Sequence, residues 1–323
     1  VWVTREGGKI KSGHRELLPL TRTEPRAIDR KSANYRAKKN KRASLTSSDN
    51  LRAICLQSVL CKMFDLMILA KEEDTLITSN LQFGFKKKLS SNLATSVAME
   101  TVDYYLQNEG TVYSLALDAS KAFDRVDLVK LFQILIERKM NPLLMRFLTT
   151  LYLKQKLCVK FDDEQSDYFT VSNGVKQGGV LSPTLFSVYV DGLLNAMSDS
   201  GYGCKVGDVY CGSLGYADDV MLLAPTQFAL KKMVDICQSY AESHKMIFNG
   251  AKSFAMVFTK DKQSNDPVIS VSGESVPCVT ELKHLGSMIT NNRNDSLADF
   301  IVKDFTVQLN SFLGDFSDVC SDV

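Results

Sequence analysis

Apolar positions along the chain change period several times, and each change marks an element. In "NLRAICLQSVLCKMFDLMILA" the residues Leu56, Val59, Leu60, Met63 and Met67 recur at three- and four-residue steps, which predicts a helix with an apolar stripe. A second helical stretch, "NLATSVAMETVDYYLQNEG", ends at Gly110. "TVYSLALD" is β-rich and mostly apolar, the pattern of a central strand, and it ends on Asp118. Asp127 then stands as an N-cap for "LVKLFQILIERK", where Leu128, Leu131, Phe132, Leu135 and Ile136 mark one face. Asn141-Pro142 opens a further helix, cap then proline in the first turn. "LCVKF" and "YFTVS" flank "DDEQSD" and predict a hairpin.

Glycine and serine punctuate the second half. "NGVKQGGVLSP" reads as a glycine-rich loop, after which Ser182-Pro183 caps a helix through about Met197. "DVYCGSLGYADDVMLLA" reads as strand, tight turn, strand, with Asp218 and Asp219 at the turn. "TQFALKKMVDICQSYAESHK" is an amphipathic helix, "SFAMVF" a strand, and "ELKHLGSMI" opens another. "SNLQFGFKKKLSSN" is a loop or short strand carrying Lys86, Lys87 and Lys88. Residues 1–48 show little periodicity and read as irregular. Helices, a strand, helices, a strand pair, a helix and a strand make an α+β layer, with helices on one face of the sheet and carboxylates on its open side.

Composition narrows the classes. With 323 residues, 45% hydrophobic and 24% charged, the chain reads as globular, with one large or two to three ordinary domains. No apolar run approaches the roughly 20 residues of a membrane span, so no membrane partner is expected. The first residues lack a signal-type apolar core, so the expectation is an intracellular protein, nuclear or cytoplasmic and not secreted. Eight cysteines without C-x-x-C spacing and three distant histidines argue against zinc and for scattered core thiols. Residues 1–44 hold 13 Lys/Arg against 4 Asp/Glu, whereas the rest holds 26 against 33. A basic arm, open to a solvated tail or to phosphate contact, thus precedes a mildly acidic body.

The chemistry is concentrated in "GYADDVMLL". Adjacent carboxylates between apolar flanks repel, and burial sharpens the repulsion. If the strand ending at Asp118 lies beside this hairpin, Asp118 and Asp218 converge. A divalent cation then removes the conflict. An all-oxygen donor set without histidine points to Mg²⁺, with Mn²⁺ as a substitute. Two such ions suit an in-line phosphoryl displacement.

Seven blocks stand together in order: "SSDNLRAICLQSVLCKMFD", "SNLQFGFKKKLSS", "LALDASKAFDRVD", "NGVKQGGVLSPTLFSVYVDGLL", "GYADDVMLLAP", "IFNGAKSFAMVF" and "LKHLGSMI". In this series the chain resembles the reverse transcriptase of LINE-type (non-LTR) retrotransposons over roughly residues 48–290. The resemblance implies a right-hand polymerase. Its fingers would span residues 49–111 and its palm residues 112–290. The start of a truncated thumb would span residues 291–323, and the basic arm residues 1–48. It implies RNA-directed DNA synthesis with two Mg²⁺ ions on an RNA template with a DNA primer, fed by deoxynucleoside triphosphates.

By the same resemblance, Asp118 and Asp218 are the principal metal ligands and Asp219 the second carboxylate of the pair, while Ala119 offers a backbone carbonyl. Phe123 lies below the sugar, where an aromatic ring leaves no room for a 2′-OH. Gln177 and Gly178 lie against the incoming nucleotide, and Arg52 holds its triphosphate. Lys252 protonates the leaving pyrophosphate. Lys86, Lys87 and Lys88 meet template phosphates, and Leu285 and Gly286 belong to the primer grip. Two alternatives stay open at this point. One is a catalytically inactive RNA-binding remnant. The other is a related palm polymerase, either making RNA or serving an intron.

Overall fold

A computed structural model describes residues 2–3, 54–161, 164–261 and 266–291. The expectations for Arg52, for most of the basic arm and for residues 292–323 lie outside them. The chain is a mixed α and β protein built around an antiparallel sheet. It divides into two compact units. One comprises Val1–Phe85, Ala119–Ala196 and Ile236–Ile247, and the other Lys86–Asp118, Met197–Asp235 and Phe248–Val323. Among the described residues no helix is long and apolar enough to cross a membrane.

In the first unit, Ser58 caps helix α1 (Val59–Lys71) by accepting the Cys61 N–H at 3.3 Å. The apolar stripe read from the sequence faces outward. Val59 is 72% exposed, and Leu60, Met63 and Met67 are exposed with it. Asp65 and Ile68 point inward instead. The segment "VLCKMFDLMILAK" is apolar on nearly every side, so its period does not single out one face.

Helix α2 (Ser91–Gln107) belongs to the second unit, as does strand β1 (Val112–Asp118). Back in the first unit come the single turn α3 (Ala122–Arg125), then α4 (Leu128–Glu137) and α5 (Pro142–Leu153), which pack together. Asp127 and Asn141 cap α4 and α5 as expected, each carboxyl or amide oxygen accepting two backbone N–H groups. Leu128, Leu131, Phe132 and Leu135 are buried, and Ile136 is exposed. The expected hairpin beyond α5 is broken into two short ladders: Lys156–Leu157 pairs Phe169–Thr170, and Lys160–Phe161 pairs Glu164–Gln165. Helix α6 (Ser182–Ser200) then buries Phe186 and Tyr189 completely.

The second unit holds the four-stranded sheet. Strands β2 (Ser213–Tyr216) and β3 (Asp219–Ala224) form a hairpin, helix α7 (Gln227–Ser243) follows, and β4 (Phe254–Phe258) completes the sheet. The order is β4-β1-β3-β2, antiparallel throughout. β1 is central, as its apolar run demands. Its rungs set Leu115 against Leu222 and against Ala255, all fully buried. Helix α2 packs on β1 and β2. "ELKHLGSMI" forms a complete hairpin of its own, β5 (Glu281–His284) and β6 (Ser287–Thr290).

Candidate active site

The β1–β3 ladder brings carboxylates together. Its register pairs Asp219 with Asp118 on one rung, and Asp219 also pairs with Tyr216 of β2. Asp118 thus faces Asp219, and Asp218 sits in the two-residue turn Ala217-Asp218 one step away. Directly opposed residues of an antiparallel pair present their side chains on the same face, about 5 Å apart at Cβ, and like charges there are destabilising. Both carboxylates are half-buried. The turn itself is strained: Ala217 has φ +59°, a left-handed conformation that such hairpin turns usually give to glycine or asparagine.

The backbone of Asp118 is anchored from the turn that precedes β4. Its N–H donates to Ser253 Oγ at 3.3 Å, and its carbonyl accepts the Asn249 N–H at 2.9 Å. Ser253 Oγ donates in turn to the Asn249 carbonyl at 2.7 Å, and Ser253 is fully buried. Between them Gly250–Lys252 forms a single 3₁₀ turn capped by the Asn249 side chain, and Lys252 is exposed at its end. Asn249 and Ser253 escaped the sequence reading. Their signal was present as two short polar side chains bracketing a tight turn before a strand.

Donor chemistry decides whether the rung suits a metal. Two opposed carboxylates are oxygen donors of the kind hard divalent cations take. Among the described residues, no group of three His, Cys, Asp or Glu side chains gathers closely enough to hold an ion. The fit therefore rests on the Asp118–Asp219 rung.

Within the first unit, Ala119 is buried and Phe123 stacks on Phe186, with ring centroids 4.6 Å apart and planes 13° apart. Phe85 meets Phe123 edge-on at 6.1 Å and is itself exposed, whereas Phe83 is buried. The glycine-rich loop clamps this ring's backbone. The Val175 N–H donates to the Phe123 carbonyl and the Gly174 N–H to the Val126 carbonyl, both at 2.8 Å. Gly174 has φ +86°, and a Cβ there would lie 2.9 Å from the Asp124 carbonyl oxygen, so only glycine fits. Gln177 Nε2 donates to Asp124 Oδ1 at 3.2 Å, a pairing that sequence spacing did not reveal. Gly178 is exposed with φ +91°.

In the second unit, Lys87 and Lys88 are exposed and Lys86 is half-buried. Leu285 and Gly286 form the tip of the β5–β6 hairpin, both at positive φ, as a two-residue primed turn requires.

The family described as "Reverse transcriptase (RNA-dependent DNA polymerase)" matches residues 37–289, most of the chain. The chain belongs to the reverse transcriptase family. The LINE-type, non-LTR kinship implied by the seven blocks agrees with its relatives. The "RNA-directed DNA polymerase from mobile element jockey" of Drosophila funebris is 26% identical over 75% of this chain and 27% of its own length. The "Retrovirus-related Pol polyprotein from type-2 retrotransposable element R2DM" of Drosophila melanogaster is 24% identical over 64% of this chain and 20% of its own. This reverse transcriptase chain thus spans about a quarter of the length of the curated relatives it matches. Among solved structures, apo telomerase from Candida tropicalis superposes with a TM-score of 0.49 at 12% identity, over 72% of this chain and 39% of that one.

Proposed function

We propose that this chain carries out RNA-directed DNA synthesis, extending a DNA primer on an RNA template with deoxynucleoside triphosphates. In this reading residues 49–111 serve as fingers, 112–290 as palm, and 291–323 begin a thumb. The observation that carries it is the Asp118–Asp219 rung inside the family's own blocks.

Asp118 and Asp219, with Asp218 from the turn, would hold divalent metal, Mg²⁺ or Mn²⁺ in its place. Such a metal would supply Lewis-acid chemistry, lowering the pKa of the primer 3′-OH and neutralising charge on the leaving pyrophosphate. The backbone anchor from Ser253 and Asn249 supports a fixed carboxylate geometry, and catalysis of this class is mainly positioning and charge stabilisation. Phe123 selects against a 2′-OH. Its stacking on Phe186 supports this role by stiffening the ring. Gln177 and Gly178 contact the nucleotide, Arg52 its triphosphate, and the Ala119 carbonyl a metal. Lys252 donates a proton to the departing pyrophosphate, a role its exposure permits. Lys86, Lys87 and Lys88 meet template phosphates, and the Leu285–Gly286 turn supports the primer end.

Primer extension on an RNA template tests the reading. Wild-type chain extends with Mg²⁺. Asp118→Asn and Asp219→Asn each reduce the rate on the order of 10³-fold, as expected for loss of transition-state charge stabilisation. Undiminished extension by Asp219→Asn would remove that residue from the site.

A further inference from the structure

Within the second unit, the turn that carries Lys252 is gripped from two sides. On one side it packs against β1, where Asp118 donates its N–H to Ser253 Oγ and accepts the Asn249 N–H. On the other it packs against a small antiparallel hairpin, in which Ser270 pairs with Ser275 and Val271 with Glu274. Glu274 Oε2 accepts the Ala251 N–H at 2.9 Å. Ser272 Oγ donates to the Phe248 carbonyl at 2.9 Å. Gly250 is buried, and a Cβ there would lie 2.7 Å from the Glu274 Cβ and 2.8 Å from the Val271 carbonyl oxygen, so only glycine admits the hairpin this closely. The hairpin's own turn, Ser272-Gly273, has φ +52° and +81°. Such a turn favours asparagine or glycine at its first position, and serine there supplies the hydroxyl that reaches Phe248. The N–H groups of Lys252 and Ser253 are taken up locally, by Asn249 and by the Gly250 carbonyl. The Ala251 N–H instead finds its acceptor across the gap, in Glu274.

We propose that Glu274 is a positioning residue: with Ser272 it braces the turn so that Lys252 keeps a fixed place relative to Asp118. The inference rests on the polymerase reading, in which Lys252 gives a proton to the departing pyrophosphate. A proton donor must stand within hydrogen-bond reach of its target, and a misplacement of about 1 Å can cost on the order of 10²-fold. Lys252 is exposed, so its own side chain is not walled in, and the backbone beneath it must supply the order. Glu274 is exposed as well, and a hydrogen bond open to water adds little to global stability. Its effect is local, on the turn it ties.

The test is steady-state primer extension by the full chain, with a melting curve beside each variant. Glu274→Ala is expected to lower kcat about tenfold, with the KM for deoxynucleotide within about twofold. The Tm should stay within about 2 °C, as for a surface substitution. Glu274→Gln keeps an acceptor oxygen for the Ala251 N–H and should return kcat to within about twofold of wild type. In a Lys252→Ala background, Glu274→Ala should cost less than about twofold, because its effect runs through that lysine. Ser272→Gly removes the hydroxyl yet suits the left-handed turn. It should lower kcat about threefold, and it decides the matter if Glu274→Ala fails to fold. An unchanged kcat in folded Glu274→Ala overturns the inference. So does an equal loss with and without Lys252, which marks a merely structural residue. A wild-type chain that extends no primer with Mg²⁺ or Mn²⁺ overturns the polymerase reading and this inference with it. Extension that Lys252→Ala leaves undiminished overturns the inference and the role of Lys252, while the reading of the Asp118–Asp219 rung stands.

Discussion

Helices α1 and α4 lie in the same unit and carry apolar residues at the same spacing, yet they use them in opposite ways. In α4 four of the five periodic residues are the core: Leu128, Leu131, Phe132 and Leu135 are buried, while Gln133 and Glu137 share the exposed side with Val129 and Ile136. In α1 the periodic residues face solvent, and the helix docks through Asp65 and Ile68, with Phe64 reaching Phe147 of α5 at 4.4 Å. Period locates a helix, but contrast between its faces decides which one is buried. Helix α4 has that contrast and α1 lacks it.

The largest effect that separates them is cavity formation. Leu131→Ala in α4 is expected to cost about 3 kcal/mol by chemical denaturation, the usual loss for a fully enclosed leucine. A loss below about 1 kcal/mol would mean α4 is not the better-packed helix. The caps come next: Asp127→Ala and Ser58→Ala each remove a side-chain acceptor and should lower stability by about 1 kcal/mol. Asp127→Ala should exceed Ser58→Ala, because Asp127 also pairs with Lys245 at 2.5 Å.

Acid and base separate the two helices by sign. The hydrogen bond from Lys245 holds the Asp127 carboxyl below its ordinary 3.8. Its contribution to stability is therefore present above pH 3.8 and is lost as pH falls through the folded value. Burial pushes the Asp65 carboxyl above 3.8, outweighing its hydrogen bonds. Its protonated form suits the fold, so stability is lost as pH rises from 3.8 through the folded value. Denaturation midpoints across this range should show Asp127→Asn flattening the acid limb and Asp65→Asn removing the loss on the higher side. Equal slopes in both variants would break the contrast. Smallest of all, Met63→Ala on the exposed side of α1 should change stability by less than about 0.5 kcal/mol. A larger loss in solution would show that this side is covered.

Much of the local placement of the candidate site residues could be read along the chain. Asp118 at the end of an apolar run, Asp218 in a hairpin turn with Asp219 opening the strand after it, and the caps at Asp127 and Asn141 all depend on neighbours a few residues away. Local steric and hydrogen-bonding rules act at that range. The inner place of β1 in the sheet also followed, because a run as apolar as "TVYSLALD" must be covered on both faces.

Register was a different matter. Whether Asp218 or Asp219 faces Asp118 depends on a one-residue choice between strands about a hundred positions apart, and a slip of one residue reverses every side chain. The same distance hid the Ser253 anchor and the link from Asp65 to Leu181, 135 and 116 residues apart in sequence. Composition and local pattern determined which elements form and which residue types carry the chemistry. Only tertiary packing decided which carboxylates meet, which face of α1 is buried and what holds the glycine-rich loop. Those outcomes depend on contacts between distant segments, and no window of sequence contains them.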